Sequence, residues 1–307
     1  MAFFGPDFKA TFDKQSGLLT SYLYKKHEYI LNGQGPRPFF WRAPTDNDYG
    51  ANLPVRLKAW KEASYQEPKA ESFQVTPGSN ATTVKVTYHF PQTDARWDIT
   101  YKIYANGVIK VDNRFVAEGD QASMIPRVGL RMQLQKIFTD LTYYGRGPKE
   151  NYRDRRTSQF IGEYTIPLKD MYEPYVRPQE NNHRTDIYWC ALTDKTQRGL
   201  LLIADRTFEL NASNYPLESM DSGDTIDNGA PRTEKTHHRH LTDPLPEKMV
   251  DLFIDYRMMG VGGDDSWGAT AHEPYLIRPG KENAIEYGFS LVPFDKKEDY
   301  KYLIQQY

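Results

Sequence analysis

The sequence alternates apolar and polar residues in short segments from one end of the chain to the other. In residues 84–90, 128–134, 250–256 and 285–291, apolar side chains occupy every second position. Successive side chains of a strand point to opposite faces of a sheet, so this period indicates strands with one buried face. The sequence therefore predicts an all-β fold.

One hairpin and one helix are predicted individually. The alternating segments 99–103 and 109–111 flank Asn106-Gly107, a pair typical of a type I′ turn between two strands. Residues 55–62, after Pro54, predict a short helix. A (β/α)₈ barrel needs about 250 residues and a helix after each strand, and this chain has no such series. Without repeats or linkers, we expect one domain over residues 1–307, with a core at 1–294 and a terminal extension at 295–307.

Composition limits the partners. Thirty-nine Lys and Arg against 41 Asp and Glu give a net charge of -2, which offers no field to attract nucleic acid. No run is long enough to span a membrane, and residues 1–7 lack the features of a secretory signal. We therefore expect a soluble protein with no membrane or nucleic-acid partner, cytoplasmic or periplasmic in a bacterium. Cys190, in an apolar run, is expected to pack as a small hydrophobe.

Two loops contain motifs that suggest ion or phosphate binding. In the first, which follows Arg42, Asp46, Asn47 and Asp48 suggest a calcium loop, but an EF-hand would need a glutamate where Leu57 stands. A turn with side chains bonded to nearby backbone amides is favoured. The second, residues 144–154, lacks the last glycine of a phosphate-binding loop.

Two further loops contain possible catalytic or binding groups. Glu180 and His183, beside Asn181, have the chemistry of an acid and a base, although a salt-bridged surface loop is as good an interpretation. Residues 237–240 contain three histidines without a cysteine to complete a zinc site. Asp264 and Asp265 lie in a glycine-rich loop that ends at Trp267, whose ring either stacks on a sugar or packs in the core.

Taken in order, five motifs resemble the C-terminal, small-chain domain (domain 5) of the family 2 β-galactosidases of the glycoside hydrolases. They are Trp-Arg-Ala-Pro-Thr-Asp-Asn-Asp (41–48), Gly-Arg-Gly-Pro-Lys-Glu-Asn-Tyr (145–152), Arg-Pro-Gln-Glu-Asn (177–181), His-Arg-His (238–240) and Gly-Gly-Asp-Asp-Ser-Trp (262–267). The resemblance implies a β-supersandwich like that of galactose mutarotases. It also implies that the parent enzyme hydrolyses terminal β-D-galactosides such as lactose, using two glutamates on a separate barrel domain that holds Mg²⁺ and Na⁺.

The resemblance further implies that this chain holds neither the catalytic residues nor a metal or cofactor. Trp267 would stack on the aglycone sugar of the substrate. The other motif residues would shape a pocket or loops against neighbouring domains; these are Arg42, Asp46, Asn47, Asp48, Glu180, Asn181, His183, Asp264 and Asp265. The expected partners are the remaining domains of the polypeptide, the β-galactoside substrate and further copies in a homo-oligomer.

Two other functions stay open at this stage. The mutarotase-like fold together with Glu180 and His183 suggests a stand-alone aldose 1-epimerase, although fold alone does not determine function. The aromatic content of 14% suggests a free-standing carbohydrate-binding module.

Overall fold

Strands make up most of the computed structural model, which describes residues 1–118, 123–223, 240–265, 267–280, 282, 284–296 and 298–306. The strands are β1 (Ala2–Phe4), β2 (Phe8–Phe12), β3 (Leu19–Tyr24), β4 (His27–Glu28), β5 (Arg37–Phe39), β6 (Ala70–Thr76), β7 (Ala81–Phe90), β8 (Ala95–Tyr104), β9 (Ile109–Ala117), β10 (Arg127–Gln135), β11 (Phe138–Gly147), β12 (Phe160–Pro167), β13 (Arg184–Asp194), β14 (Gly199–Ser213), β15 (Met249–Met258) and β16 (Ile285–Phe294). The predicted alternating segments all lie in strands, which confirms the all-β prediction.

Helical segments are short. The α-helices are α1 (Asp46–Gly50), α2 (Leu53–Arg56), α3 (Lys58–Tyr65) and α4 (Tyr300–Ile304), and 3₁₀ turns occur at Pro91–Thr93, Leu168–Asp170, Leu217–Ser219 and Glu273–Tyr275. The predicted helix at 55–62 is present but is divided at Leu57, which ends α2 and precedes α3. Its apolar residues, Leu57 and Trp60, are buried as their spacing indicates.

The strands form two antiparallel sheets. A small sheet has the order β1-β2-β3-β4, and a large one has the order β12-β11-β13-β14-β16-β9-β8-β7-β6. Strand β15 pairs with β14 and β10, and β10 pairs with β5. Strand β14 therefore has two partners on one side: Gly199–Ala204 pairs with β16, and Glu209–Ser213 pairs with β15. This division curls the large sheet around the core.

The predicted hairpin between β8 and β9 is confirmed, but its turn is of another kind. The N–H of Gly107 donates to the carbonyl of Tyr104 at 3.0 Å, and the N–H of Tyr104 donates to the carbonyl of Val108 at 2.9 Å. Asn106 is not among the residues with positive φ, whereas Gly107 has φ +92°. The loop is thus a three-residue turn that ends in a left-handed glycine, a common alternative to the type I′ turn.

Two apolar clusters lie on opposite faces of the large sheet. The larger one packs side chains from both sheets and from α2 and α3, including Phe12, Trp60 and Trp97. The smaller one contains Trp189 and Phe294 and is covered by residues of α4. The segment that was expected to be an extension therefore packs against the sheet through Tyr300, Leu303 and Ile304. The Cys190 thiol is buried, and burial raises its pKa, as expected for a packed thiol.

Candidate functional site

Four of the loops identified from the sequence meet around one pocket. The pocket has a volume of about 310 Å³ and draws its lining from each of those loops. Its lining residues are Thr45, Asp46, Asn47, Tyr152, Arg155, Tyr175, Gln179, Glu180, Val261, Gly262, Gly263 and Asp265. Motifs that are far apart in the sequence are therefore neighbours in the fold.

The first loop contains the N-terminus of helix α1. Thr45 caps α1 by accepting from the N–H of Asp48, and Asp48 accepts in return from the N–H of Thr45 at 3.0 Å. The expected bonding of an acidic side chain to a nearby amide is confirmed, but the element is a helix rather than a turn. Arg42 donates twice to the Asp48 carboxylate, at 2.8 and 2.9 Å, and both residues are buried. A buried pair of this kind fixes the loop and leaves neither group free for a ligand.

Two charged residues, Arg42 of the first motif and Asp154 of the second loop, hold the base of the glycine-rich loop. Arg42 donates to the carbonyls of Met259 at 2.7 Å and Gly260 at 3.1 Å. Asp154, from the second loop (144–154), accepts from the N–H groups of Val261 at 3.1 Å and Gly262 at 2.8 Å. Both ends of a short backbone segment are thereby held by charged side chains.

Trp267 lies at the tip of this loop. Asp265 accepts from the N–H groups of Trp267 at 2.9 Å and Ala269 at 3.0 Å, and these bonds lower the pKa of its carboxyl group. A Cβ on Gly50 would lie 2.5 Å from the carbonyl oxygen of Trp267, so the loop backbone packs directly on the end of α1. The Trp267 side chain is nevertheless 86% exposed. A large indole is thus presented to solvent on a backbone that is held in place.

The third loop is held by Glu150 of the second motif. The Glu150 carboxylate accepts from the Asn182 N–H at 2.7 Å, from Arg155 at 3.0 Å and from the Tyr175 hydroxyl. Gln179 reaches across to α1, where its amide nitrogen donates to Asp46 at 3.3 Å. The second loop (144–154) therefore contacts the third loop through Glu150 and the glycine-rich loop through Asp154.

Glu180, Asn181 and His183 are all buried, so the interpretation as a salt-bridged surface loop is wrong. Glu180 and His183 do not bond each other; each bonds Asn211, at 3.0 and 2.7 Å. The other ring nitrogen of His183 lies 2.9 Å from Glu209. Burial alone would raise the Glu209 pKa, but its bonds to His183, Arg153 and the Met258 N–H lower it. These contacts hold the root of the third loop against β14.

Arg127 and Asp255 form a second buried pair next to this group. Their side chains are 3.2 Å apart and neither is accessible to solvent. Among the described residues, the Asp255 oxygens accept no hydrogen bond. Burial raises the Asp255 pKa to about 7, against the lowering effect of Arg127.

The remaining predicted residues lie at the rim or outside the described part of the chain. Asp264 is exposed and pairs with His272 at 2.6 Å, which raises the pKa of the imidazole. Asp46 and Asn47 lie at the rim of the pocket, and Asp46 also pairs with Arg177 at 3.4 Å. Of the histidine motif, residues 237–239 lie outside the described residues, as does Ser266. In the part of the chain that is described, no three His, Cys, Asp or Glu side chains cluster as metal ligands.

Several residues of the site were not singled out from sequence. Asn211 and Glu209 lie within an ordinary strand, and only the folded chain brings them to His183. Glu150 and Asp154 lie in a loop that was recognised, but each also bonds a loop more than 20 residues away. Within the described residues, no helix has the length and apolar character needed to cross a membrane.

The chain was compared with known families and proteins. A family model described as the beta galactosidase small chain matches residues 4–291. Curated relatives named beta-galactosidase include proteins of Priestia megaterium, 33% identical over 273 residues, and Lactobacillus delbrueckii subsp. bulgaricus, 32% identical over 275 residues. Each match covers 89% of this chain and 25% of the relative. The chain thus spans about a quarter of the length of these relatives.

Among solved structures, the chain is similar to a galactose 1-epimerase from Lactobacillus acidophilus NCFM. The TM-score is 0.51 at 8% sequence identity, with coverage of 96% of this chain and 93% of the other. At this identity the likeness concerns the fold alone, and it confirms the expected mutarotase-like architecture.

Proposed function

The chain belongs to the β-galactosidase small-chain family, and on that premise we propose that it is a non-catalytic domain that completes the substrate site of a larger β-galactosidase. Its contribution is the ring of Trp267, which stacks on the aglycone sugar of a β-galactoside such as lactose. The catalytic glutamates, with Mg²⁺ and Na⁺, act in the remaining domains. The relatives are about four times as long as the matched segment, which leaves room for such domains.

The exposure of Trp267 supports this role most strongly. Burying a tryptophan is favourable, because its side chain removes some 150–250 Å² of surface from water. An indole that is 86% exposed on a fixed loop forgoes that stabilisation. The flat apolar face of a sugar ring would cover it, and a loop already held by Arg42, Asp154 and Asp265 would lose little further entropy on binding.

The geometry of the other charged residues supports a binding role rather than bond cleavage. Retaining glycosidases use two carboxyl groups about 5 to 5.5 Å apart, one as nucleophile and one as acid and base. Around the glycine-rich loop, Asp48 is paired with Arg42, and Asp154 is bonded to backbone amides. These carboxylates stabilise loops. The exposed Asp264 we assign to contact with the neighbouring domains or with further copies in a homo-oligomer.

The proposal is tested in the full-length enzyme with Trp267→Ala and the matched control Phe160→Ala, since Phe160 is also an exposed aromatic residue, at 72%. Loss of stacking on the leaving sugar should raise KM for lactose several-fold, corresponding to about 1 kcal/mol. The control should leave KM unchanged. An unchanged KM in Trp267→Ala would refute the stacking role.

A second measurement addresses catalysis by the isolated chain. The chain alone should release no chromophore from a chromogenic β-galactoside above the uncatalysed rate. Turnover that persists after repurification, and that Trp267→Ala weakens, would show that this chain carries its own catalytic pair.

A further inference from the structure

The pocket beside the Trp267 loop has the size and lining of a small binding site. Its volume of about 310 Å³ is at the lower end of the range for small-molecule sites, roughly 300–1,000 Å³. Asp265 lines the pocket and also accepts from the backbone N–H of Trp267. One hydrogen bond therefore links the lining of the pocket to the backbone that carries the Trp267 ring.

The charges of the pocket favour a ligand that donates hydrogen bonds. Asp46, Glu180 and Asp265 contribute three carboxylates, while the cation that lines the pocket, Arg155, is paired with Glu150 at 3.0 Å. Ionised carboxylates only accept hydrogen bonds, so they suit hydroxyl groups and repel phosphate or sulfate. Among the described residues, these carboxylates do not form a metal-ligand cluster. A neutral polyhydroxylated ligand fits these features.

Glu180 supplies an acceptor that the fold leaves unused. Its side chain is 3% exposed and lines the pocket. Arg127 and Asn211 both donate to Oε1, at 3.5 and 3.0 Å. Oε2 accepts no hydrogen bond from any described residue. Oε2 is open to solvent in the pocket rather than buried, so a sugar hydroxyl can donate to it in place of water.

Neutral and aromatic groups complete the lining. Asn47 makes no side-chain hydrogen bond to a described residue, so its amide can both donate to and accept from a hydroxyl. Tyr152 and Tyr175 also line the pocket, and aromatic rings suit the apolar faces of sugars.

We infer that the pocket is a second hexose subsite, which takes the sugar unit that follows the one stacked on Trp267. This inference rests on the proposed function and extends it to longer galactosides.

The isolated 307-residue chain can be tested by saturation-transfer NMR with galactose and with lactose as the probes. Two linked rings should reach both Trp267 and the pocket, so we expect lactose to bind about tenfold more tightly than galactose, a ratio equivalent to about 1.4 kcal/mol. Asn47→Ala should abolish that preference. Glu180→Gln should also abolish the preference. Because Glu180 is buried, that variant could fail to fold, and Asn47→Ala then provides the test.

The outcomes separate this inference from the proposed function. Equal binding of the two sugars, no binding of either, or a lactose preference that survives in Asn47→Ala would overturn the second subsite. A preference that is lost in Asn47→Ala supports it. If Trp267→Ala leaves the binding of both sugars unchanged while the lactose preference persists, the stacking role fails and the pocket stands.

Discussion

The carboxylate of Asp154 accepts a hydrogen bond from the backbone N–H of Gly262 at 2.8 Å, across a sequence separation of 108 residues. The neighbouring Val261 N–H donates to the same carboxylate. The second loop (144–154) and the glycine-rich loop are therefore joined, and the position of Trp267 depends in part on a residue that is distant in the sequence.

Asp154→Ala should loosen the loop without unfolding the sheet. Two half-buried amides lose a charged acceptor, which costs about 1–3 kcal/mol. We expect faster amide hydrogen exchange at Val261 and Gly262 in the isolated chain. Asp170→Ala, which removes an exposed carboxylate bonded to Lys169, is the control and should change neither amide. Unaltered exchange in Asp154→Ala would show that the loop is held by other contacts.

Replacing only one partner of the buried Arg42 and Asp48 pair should strongly lower the free energy of unfolding. Asp48→Leu leaves the buried Arg42 guanidinium without its counter-charge, and such losses typically cost about 3–5 kcal/mol. Replacing both partners, in Arg42→Met with Asp48→Leu, should cost less than the sum of the two single changes. Urea denaturation of the four proteins measures this coupling. Strict additivity would mean that the pair contributes no specific interaction.

Asp255 makes the free energy of unfolding depend on pH. Its pKa is about 7 in the folded chain, raised mainly by burial, against an ordinary value of 3.8. Between these values the folded state holds a proton that the unfolded state has released, so this group makes the free energy of unfolding fall as the pH rises, by at most about 1.4 kcal/mol per unit. The stability that Asp255 contributes below about pH 4 is therefore lost by about pH 7.

Asp255→Asn should remove that dependence. The amide has the same shape and does not titrate in this range, so the variant should gain stability relative to the parent protein as the pH rises from about 4 to about 7. Urea denaturation at several pH values provides the comparison. A stability difference that is constant with pH would contradict the raised pKa.

The residues of α4 should contribute to stability through the second apolar cluster. The Tyr300 ring lies 6.1 Å from that of Trp189 and 5.4 Å from that of Phe294, whereas Tyr302 on the same helix is 61% exposed. Tyr300→Ala should lower the free energy of unfolding by about 1–2 kcal/mol, and Tyr302→Ala should change it little. Thermal denaturation of the two variants tests this contrast. Equal effects would mean that α4 does not cover the sheet.

The fold was predictable because strand burial is a local signal, but most of the site was not. The alternate spacing of Val84, Val86 and Tyr88 is enough to predict their strand, and each of these residues is buried. By contrast, Asn106 and Gly107 fit two turn types, and the choice depends on the register of β8 with β9. Glu180 and His183 look like exposed loop residues because nothing in their neighbourhood reveals Asn211 or Glu209. The role of Trp267 was inferred from the motif as a whole, and its binding role stays a prediction.

The position of β16 between β14 and β9 has a consequence for synthesis. The last strand of the chain joins two groups of strands that are complete long before it, so neither group can close until residues 285–294 have emerged. Before then, β9 and the Gly199–Ala204 part of β14 each present an unpaired edge, and such edges pair readily with other chains. A polypeptide shortened ahead of Ile285 would be expected to aggregate rather than to fold as a smaller version of the same architecture.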